Sequence, residues 1–529
     1  MVIPDGDLLK PAFWQSLIKF RKVGRLFFDV FLQVIVPCNP GVFGGDVNSA
    51  FFTLHTELEN LVGNFIVKGL KIGIEFSRQR GYNNPRILLF SGGFPMKKIK
   101  RHLRSAVGYL LVCLKWLVLA ALVGCVVGPL GAAFGLALNW VNATRAAQPW
   151  LLYLLPVSGL VIVFLYEHFD PDGGSVNQVF TSVRERKPVR LRSAPLIFVS
   201  TVITHLFGGS SGREGAALLL GGSVSGNLGK ALRLEHRDCR LMTMCGMAGA
   251  FSAVFGTPLA ATIFTLEVVD VGSMQYAALL PCLISSLVGV FISGQMGLPP
   301  EAFPLQAEAA ATPLNLARVI VLGALLAALG IFFCELLHAA PKLYKKYLPN
   351  PYLRIMAGGV LILALTKLLG TTDYNGAGAA VIEAAIDGQA LPYAFLLKML
   401  FTALTLGAGF KGGEIVPIFF TGATFGCVVA PLLGLPPQLG AALGMIALFC
   451  ACTNSPLASI CLAIEVFGGR CISLFALACA VSYMLSSYFS LYREQHFMHS
   501  KLRIVGVRRI HGIWTESDTA PGDEPAEGK

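Results

Sequence analysis

Charge is what this chain has least of. Only 14% of its 529 residues are Asp, Glu, Lys or Arg, 54% are hydrophobic, and the mean hydropathy is +0.66. Soluble domains carry about 25% charged residues, so the composition excludes a soluble enzyme or binding module and implies an integral membrane protein. CxxC pairs and Cys/His ligand spacings are also absent, although there are 13 cysteines. Cys113, Cys125, Cys245, Cys427, Cys450, Cys452, Cys461 and Cys479 lie in apolar runs and read as small buried residues of a reduced chain. No metal or cofactor is expected. Residues 1–95 contain no apolar run near the 18 or so residues that cross a bilayer, and no signal peptide's succession of basic, apolar and small-residue regions.

At Met96 the pattern changes to a basic start, MKKIKRHLR, followed by a long apolar helix expected over about 107–138. The transport domain is therefore expected at 96–510, with 1–95 an accessory segment or the product of a misassigned start. Residues 511–529, HGIWTESDTAPGDEPAEGK, are expected to be a disordered tail, and no regulatory nucleotide-binding domain is expected.

A formal charge of +12 could suggest nucleic acid, but the cations sit at the ends of apolar segments rather than along one face. MKKIKRHLR (96–104), RERKPVRLR (184–192), LRLEHRDCR (232–240) and PKLYKKYLPNPYLR (341–354) alternate with loops that carry Glu301, Glu308, Asp373, Glu383 and Asp387. By the positive-inside rule the basic set is cytoplasmic, as in a bacterial inner membrane, and nucleic acid is not a partner.

The apolar segments are uneven. Long ones lie near 107–138, 150–166, 275–296, 314–340 and 354–370, whereas 192–207, 213–229, 241–254, 257–269, 412–431, 440–453 and 456–467 are short and bounded by Gly or Pro. Segments of 10–14 residues cannot cross alone and must be buried in protein or form half-helices. A repeat runs through them. GREGAALLLGGSVSG from 212 matches GGEIVPIFFTGATFG from 412, aligning Glu214 with Glu414, Gly222 with Gly422 and Gly226 with Gly426. PLAATIFTLEV (258–268) matches PLASICLAIEV (456–466), aligning Glu267 with Glu465. A duplicated all-α polytopic membrane protein with broken helices follows, its repeats at roughly 107–297 and 312–492 and its site where they meet.

A glycine-rich loop entering a helix, as at GSSGREG and FKGGEIVP, leaves the first N–H groups without partners and puts the positive end of the helix dipole there. Two such starts, one per repeat, could face a single anion without a full positive charge that would hold it too tightly. Glu214, a carboxylate at membrane depth, can then occupy the anion's own position when ionised and leave it when protonated. The bland alternative is an acidic residue that only complements the helix dipole. Arg213 reads as a partner for a carboxylate or for loop carbonyls rather than an anion ligand. A different class of function, an intramembrane serine hydrolase, is raised by the GxSG pattern at Gly209–Gly212, with Ser210 as nucleophile and His205 or His338 as base. That reading leaves the repeat unexplained. GGSVSGNLGK misses the phosphate-loop spacing.

With GREG at 212–215, GGEIVP at 412–417, the two PLA…E blocks and Tyr492 in SSYFSLYREQ, the chain resembles the CLC family of chloride channels and proton-coupled anion exchangers over roughly 100–500. The resemblance implies a homodimer in the lipid bilayer, with one anion pathway per subunit built from two inverted repeats of tilted and broken helices. It implies that Glu214 is the gating and proton-coupling glutamate. The backbone at Arg213 to Gly215 and at Glu414, Ile415 and Val416 would bind the anion, with the Tyr492 hydroxyl facing it. The family's GSGIP stretch corresponds to PDGGSVNQ, so Ser175 takes the serine position without the Gly-Ile-Pro that follows it in the family. A second glutamate, which many exchangers carry after the position of Glu267, is here Val268. HLFGGSSGREG and GGEIVPIFFTGA look most like the fluoride/proton branch, although that branch usually has Met at Ser175 and Thr at Val416. The implied function is transport of fluoride or chloride with protons, or a chloride channel without tight proton coupling. Glu267 and Glu465 read as repeat-related structural carboxylates at helix ends.

Overall fold

A computed structural model describes residues 96–171, 173, 176–185, 189–305, 307–498 and 501; residues 1–95, expected to be accessory or misassigned, the expected tail 511–529 and Ser175 lie outside the described residues. Those described form sixteen α-helices in two sets of eight. The first set is α1 (Met96–Ala147), α2 (Leu155–Phe169), α3 (Asn177–Glu185), α4 (Ser193–Leu206), α5 (Glu214–Ala231), α6 (His236–Phe255), α7 (Pro258–Glu267) and α8 (Leu279–Gln295). The second is α9 (Pro313–Tyr347), α10 (Pro351–Leu369), α11 (Ala379–Ile386), α12 (Ala394–Ala408), α13 (Ile415–Leu432), α14 (Pro437–Thr453), α15 (Pro456–Phe467) and α16 (Ile472–Leu485). The order of long, short and broken helices is the same in both. Among the described residues, six helical segments are long and apolar enough to cross a membrane, and six more apolar helices run only 10–17 residues. The α1 helix extends past 107–138 at both ends, since the flanking sequence holds no strong stop before Gln148-Pro149. Its exposed Tyr109, Leu110, Leu111 and Val112 suit contact with lipid tails.

The short helices survive because protein surrounds them. Within each repeat, α5 packs against α6 and α13 against α14 at very close range: a Cβ on Gly221 would collide with the Gly246 carbonyl, and one on Gly422 with the Gly444 carbonyl. Small residues let these backbones approach, the usual basis of helix association where lipid supplies no hydrophobic drive. The two repeats are stitched reciprocally. Glu267, at the end of α7, accepts from Leu457 N (3.2 Å) and Ala458 N (2.9 Å) at the start of α15. Glu465, near the end of α15, accepts from Leu259 N and Ala260 N (both 2.8 Å) at the start of α7. Each carboxylate thus satisfies orphan N–H groups of the other repeat's helix and complements its dipole.

After α16 the chain turns back into the core. His496–Phe497 forms a two-residue parallel ladder with Asp270–Val271, and Gln495 Nε2 donates to Val268 O and Thr453 O, each at 2.8 Å. With Leu491 N bonded to Cys452 O (2.8 Å), these contacts hold Tyr492 in the interior, 4% exposed.

Candidate anion site

The two glycine-rich loops meet. Gly212 N donates to Gly413 O (2.6 Å) and Gly413 N to Gly212 O (2.7 Å), an isolated antiparallel bridge between the repeats. It sets the starts of α5 and α13 side by side. Into this junction the Glu214 side chain folds back, fully buried, its Oε2 accepting from Arg213 N (3.0 Å) and Val416 N (3.2 Å). One carboxylate oxygen therefore takes an N–H from each repeat, the seat that two half-helix starts offer an anion. Neither loop glycine could be larger. A Cβ on Gly413 would lie 2.8 Å from Glu214 N and from Gly215 N, and one on Gly212 would strike the Glu214 carboxylate.

The surroundings are rich in buried polar atoms without partners. Glu214 Oε1, Glu414 Oε2, Tyr492 Oη, Ser211 Oγ and His205 Nδ1 are buried with no hydrogen-bond partner among the described residues. Such atoms are uncommon in native interiors and gather where a ligand or water belongs. The Glu414 carboxylate stands close to Glu214: its Oε2 lies 3.4 Å from where a Cβ on Gly215 would be. The sequence points to Glu414 for its backbone; its half-buried side chain, with Oε2 enclosed near a second carboxylate, is not legible there because a loop sequence does not say which way a side chain turns. Tyr492 packs edge-on against Phe180 of α3, with ring centroids 4.9 Å apart. Gly215, Ile415 and Val416 lie at the two helix starts and are buried.

Arg213 keeps its backbone N–H at the site and sends its side chain away, to pair with Glu301 and to lie over the Phe255 ring at 5.1 Å. The loops are braced from behind. Lys398, fully buried on α12, donates to Tyr374 O (3.2 Å) and Gly376 O (2.6 Å), and Gly376 N donates to Gly209 O (3.1 Å). Asn375 Nδ2 reaches Gly208 O (2.8 Å), and Arg145 reaches His205 O (3.3 Å). Lys398 was absent from the sequence reading, since a lone Lys in an apolar helix gives no sign of which carbonyls it will find. Ser210 pairs through Oγ with Thr402 (3.1 Å), whereas His205 Nε2 engages Gly212 O and His338 Nε2 engages Leu491 O. Ser210 therefore pairs with neither His205 nor His338 among the described residues.

The family described as voltage gated chloride channel matches residues 158–487. A chloride/fluoride channel protein of Pseudomonas syringae pv. tomato is 34% identical over 413 residues, covering 75% of this chain and 91% of the relative. An H(+)/Cl(-) exchange transporter of Yersinia pestis is 27% identical over 386 residues, covering 66% of this chain and 80% of that protein. Among solved structures, a CLC-type fluoride/proton antiporter superposes with a TM-score of 0.70 at 34% identity, over 72% of this chain and 98% of the other. A slow cyanobacterial Cl-/H+ antiporter, at 21% identity and a TM-score of 0.61, shares the fold.

Proposed function

The chain belongs to the CLC family of voltage gated chloride channels and antiporters, and from that membership we propose that it exchanges a small inorganic anion for protons across a lipid bilayer, with Glu214 coupling the two movements. The observation that carries the proposal is the Glu214 carboxylate bound by N–H groups of both repeats. An ionised Glu214 excludes an anion from that seat, and a protonated one gives up the charge that held it there. Anion arrival and proton uptake then become linked. The N–H groups at Arg213, Gly215, Ile415 and Val416 and the Tyr492 hydroxyl are the anion's partners, with Ser175 completing the set. Arg213 acts through its backbone alone.

Fluoride is the anion favoured over chloride, on the 34% identity to the two relatives that carry fluoride in their names and on the GGEIVP block. A channel without tight coupling is the competing reading; Val268, a buried apolar residue where many exchangers have a carboxylate, suits that reading and the fluoride/proton branch equally. The protein works as a homodimer of the 96–510 domain in a bacterial inner membrane, its basic loops cytoplasmic; residues 1–95 are accessory or misassigned.

Reconstituted liposomes loaded with fluoride or with chloride, with protons recorded simultaneously, test both points. Wild type is expected to take up protons as anion leaves, and Glu214→Gln to leave proton movement at background. Full coupling in the Gln variant would remove Glu214 from the mechanism, and chloride efflux as fast as fluoride would remove the fluoride assignment.

A further inference from the structure

A cavity of about 160 Å³ lies beside the anion site, with Asn177, Leu337, His338, Pro341, Leu406, Glu414, Leu491 and Arg493 around it. It has room for several waters. Two side chains in its wall can carry a proton: Glu414, which borders the Glu214 seat, and His338, half-buried on α9. Pro341 has no N–H to give Leu337 O, which leaves another polar atom in that wall for water. His338 is tied to the segment that bears Tyr492 from both sides, its Nε2 meeting Leu491 O at 3.2 Å and its carbonyl accepting from Arg493 Nη2 at 3.2 Å.

We propose that this cavity is the proton port between one face of the membrane and the anion site, with His338 as the group that takes and releases protons and Glu414 as its inner partner. The proposal rests on the proton-coupled reading above. Nε2–H is donated to Leu491 O, so Nδ1 takes the incoming proton and the imidazole becomes imidazolium. That cation returns the proton to cavity water, which delivers it to the Glu414 carboxylate; His338 is again neutral and Glu414 becomes a neutral acid. The reverse sequence carries protons outward. The charged groups around the ring are Arg493 from the 491–493 loop, Glu335 and Lys342 from α9 itself, and Glu414 from the start of α13, whereas α12 and α3 bring only Leu406 and Asn177. The ring thus stands among charges of both signs, two cations and two carboxylates, with cavity space beside it for water.

The test records protons and fluoride together in liposomes for wild type, Glu214→Gln and His338→Gln, the last of which keeps an amide donor for Leu491 O. The ratio of protons to fluoride is expected to fall at least fivefold in H338Q. A wild-type ratio in H338Q overturns the port while leaving the Glu214 reading intact; a wild type that moves no protons overturns both. His338→Ala with imidazole added on the side of the cavity is the second arm. Recovery of proton movement by imidazole, and not by an equal concentration of acetamide, is the supporting result; no recovery in vesicles that still release fluoride overturns the proposal.

Discussion

At Glu214 two effects oppose each other. Complete burial penalises the carboxylate's charge, and N–H groups from Arg213 and Val416, at two positive helix ends, favour it. A group balanced in this way changes state when an anion competes for the same donors. Protonation frees the seat, so anion efflux from wild type is expected to rise as pH falls on the side from which Glu214 is protonated, and to lose that dependence in Glu214→Gln; a flux series over pH reads both. Gly413→Ala places a methyl 2.8 Å from Glu214 N. Overpacking of this kind costs about 1–3 kcal/mol, and because it falls on the bridge itself the expected result is at least tenfold slower efflux from protein that still purifies as a folded species. Val416→Thr restores a hydroxyl next to the seat and is expected to raise the ratio of fluoride to chloride efflux.

Helices α7 and α15 show how the duplication works as structure. Each begins with Pro and carries at or near its end a carboxylate that caps the other, so two short helices complete one another's hydrogen bonding where neither could face lipid alone. Replacing the charged acceptor of two helix-start N–H groups by a neutral amide oxygen costs about 1 kcal/mol. Glu267→Gln and Glu465→Gln are each expected to lower the melting temperature in detergent while leaving the ratio of protons to anion intact. A lost ratio in Glu267→Gln would make that residue a proton carrier instead.

For the molecule as a whole, transport is expected to survive deletion of residues 1–95, with efflux from the 96–529 protein within about twofold of the full chain; loss of a folded, active product would make that segment part of the working protein. Much of the architecture was legible beforehand. Apolar runs set by the bilayer thickness marked the helices, and the two Gly-Arg-Glu-Gly and Gly-Gly-Glu loops and the two PLA…E blocks revealed the duplication, because both periodicity and repetition are one-dimensional properties. The same sequence determined that a carboxylate stands at a helix start in an apolar surround. What it could not determine is which groups from chain positions about 200 apart come into contact. Only the tertiary structure bonded Gly212 to Gly413, folded Glu214 onto Val416 N, turned Arg213 outward to Glu301 and brought Glu414 and His338 to one cavity. The reason is physical: a backbone N–H is present at nearly every residue and becomes an anion site only when the packing of both repeats aims several of them at one point and excludes water from it.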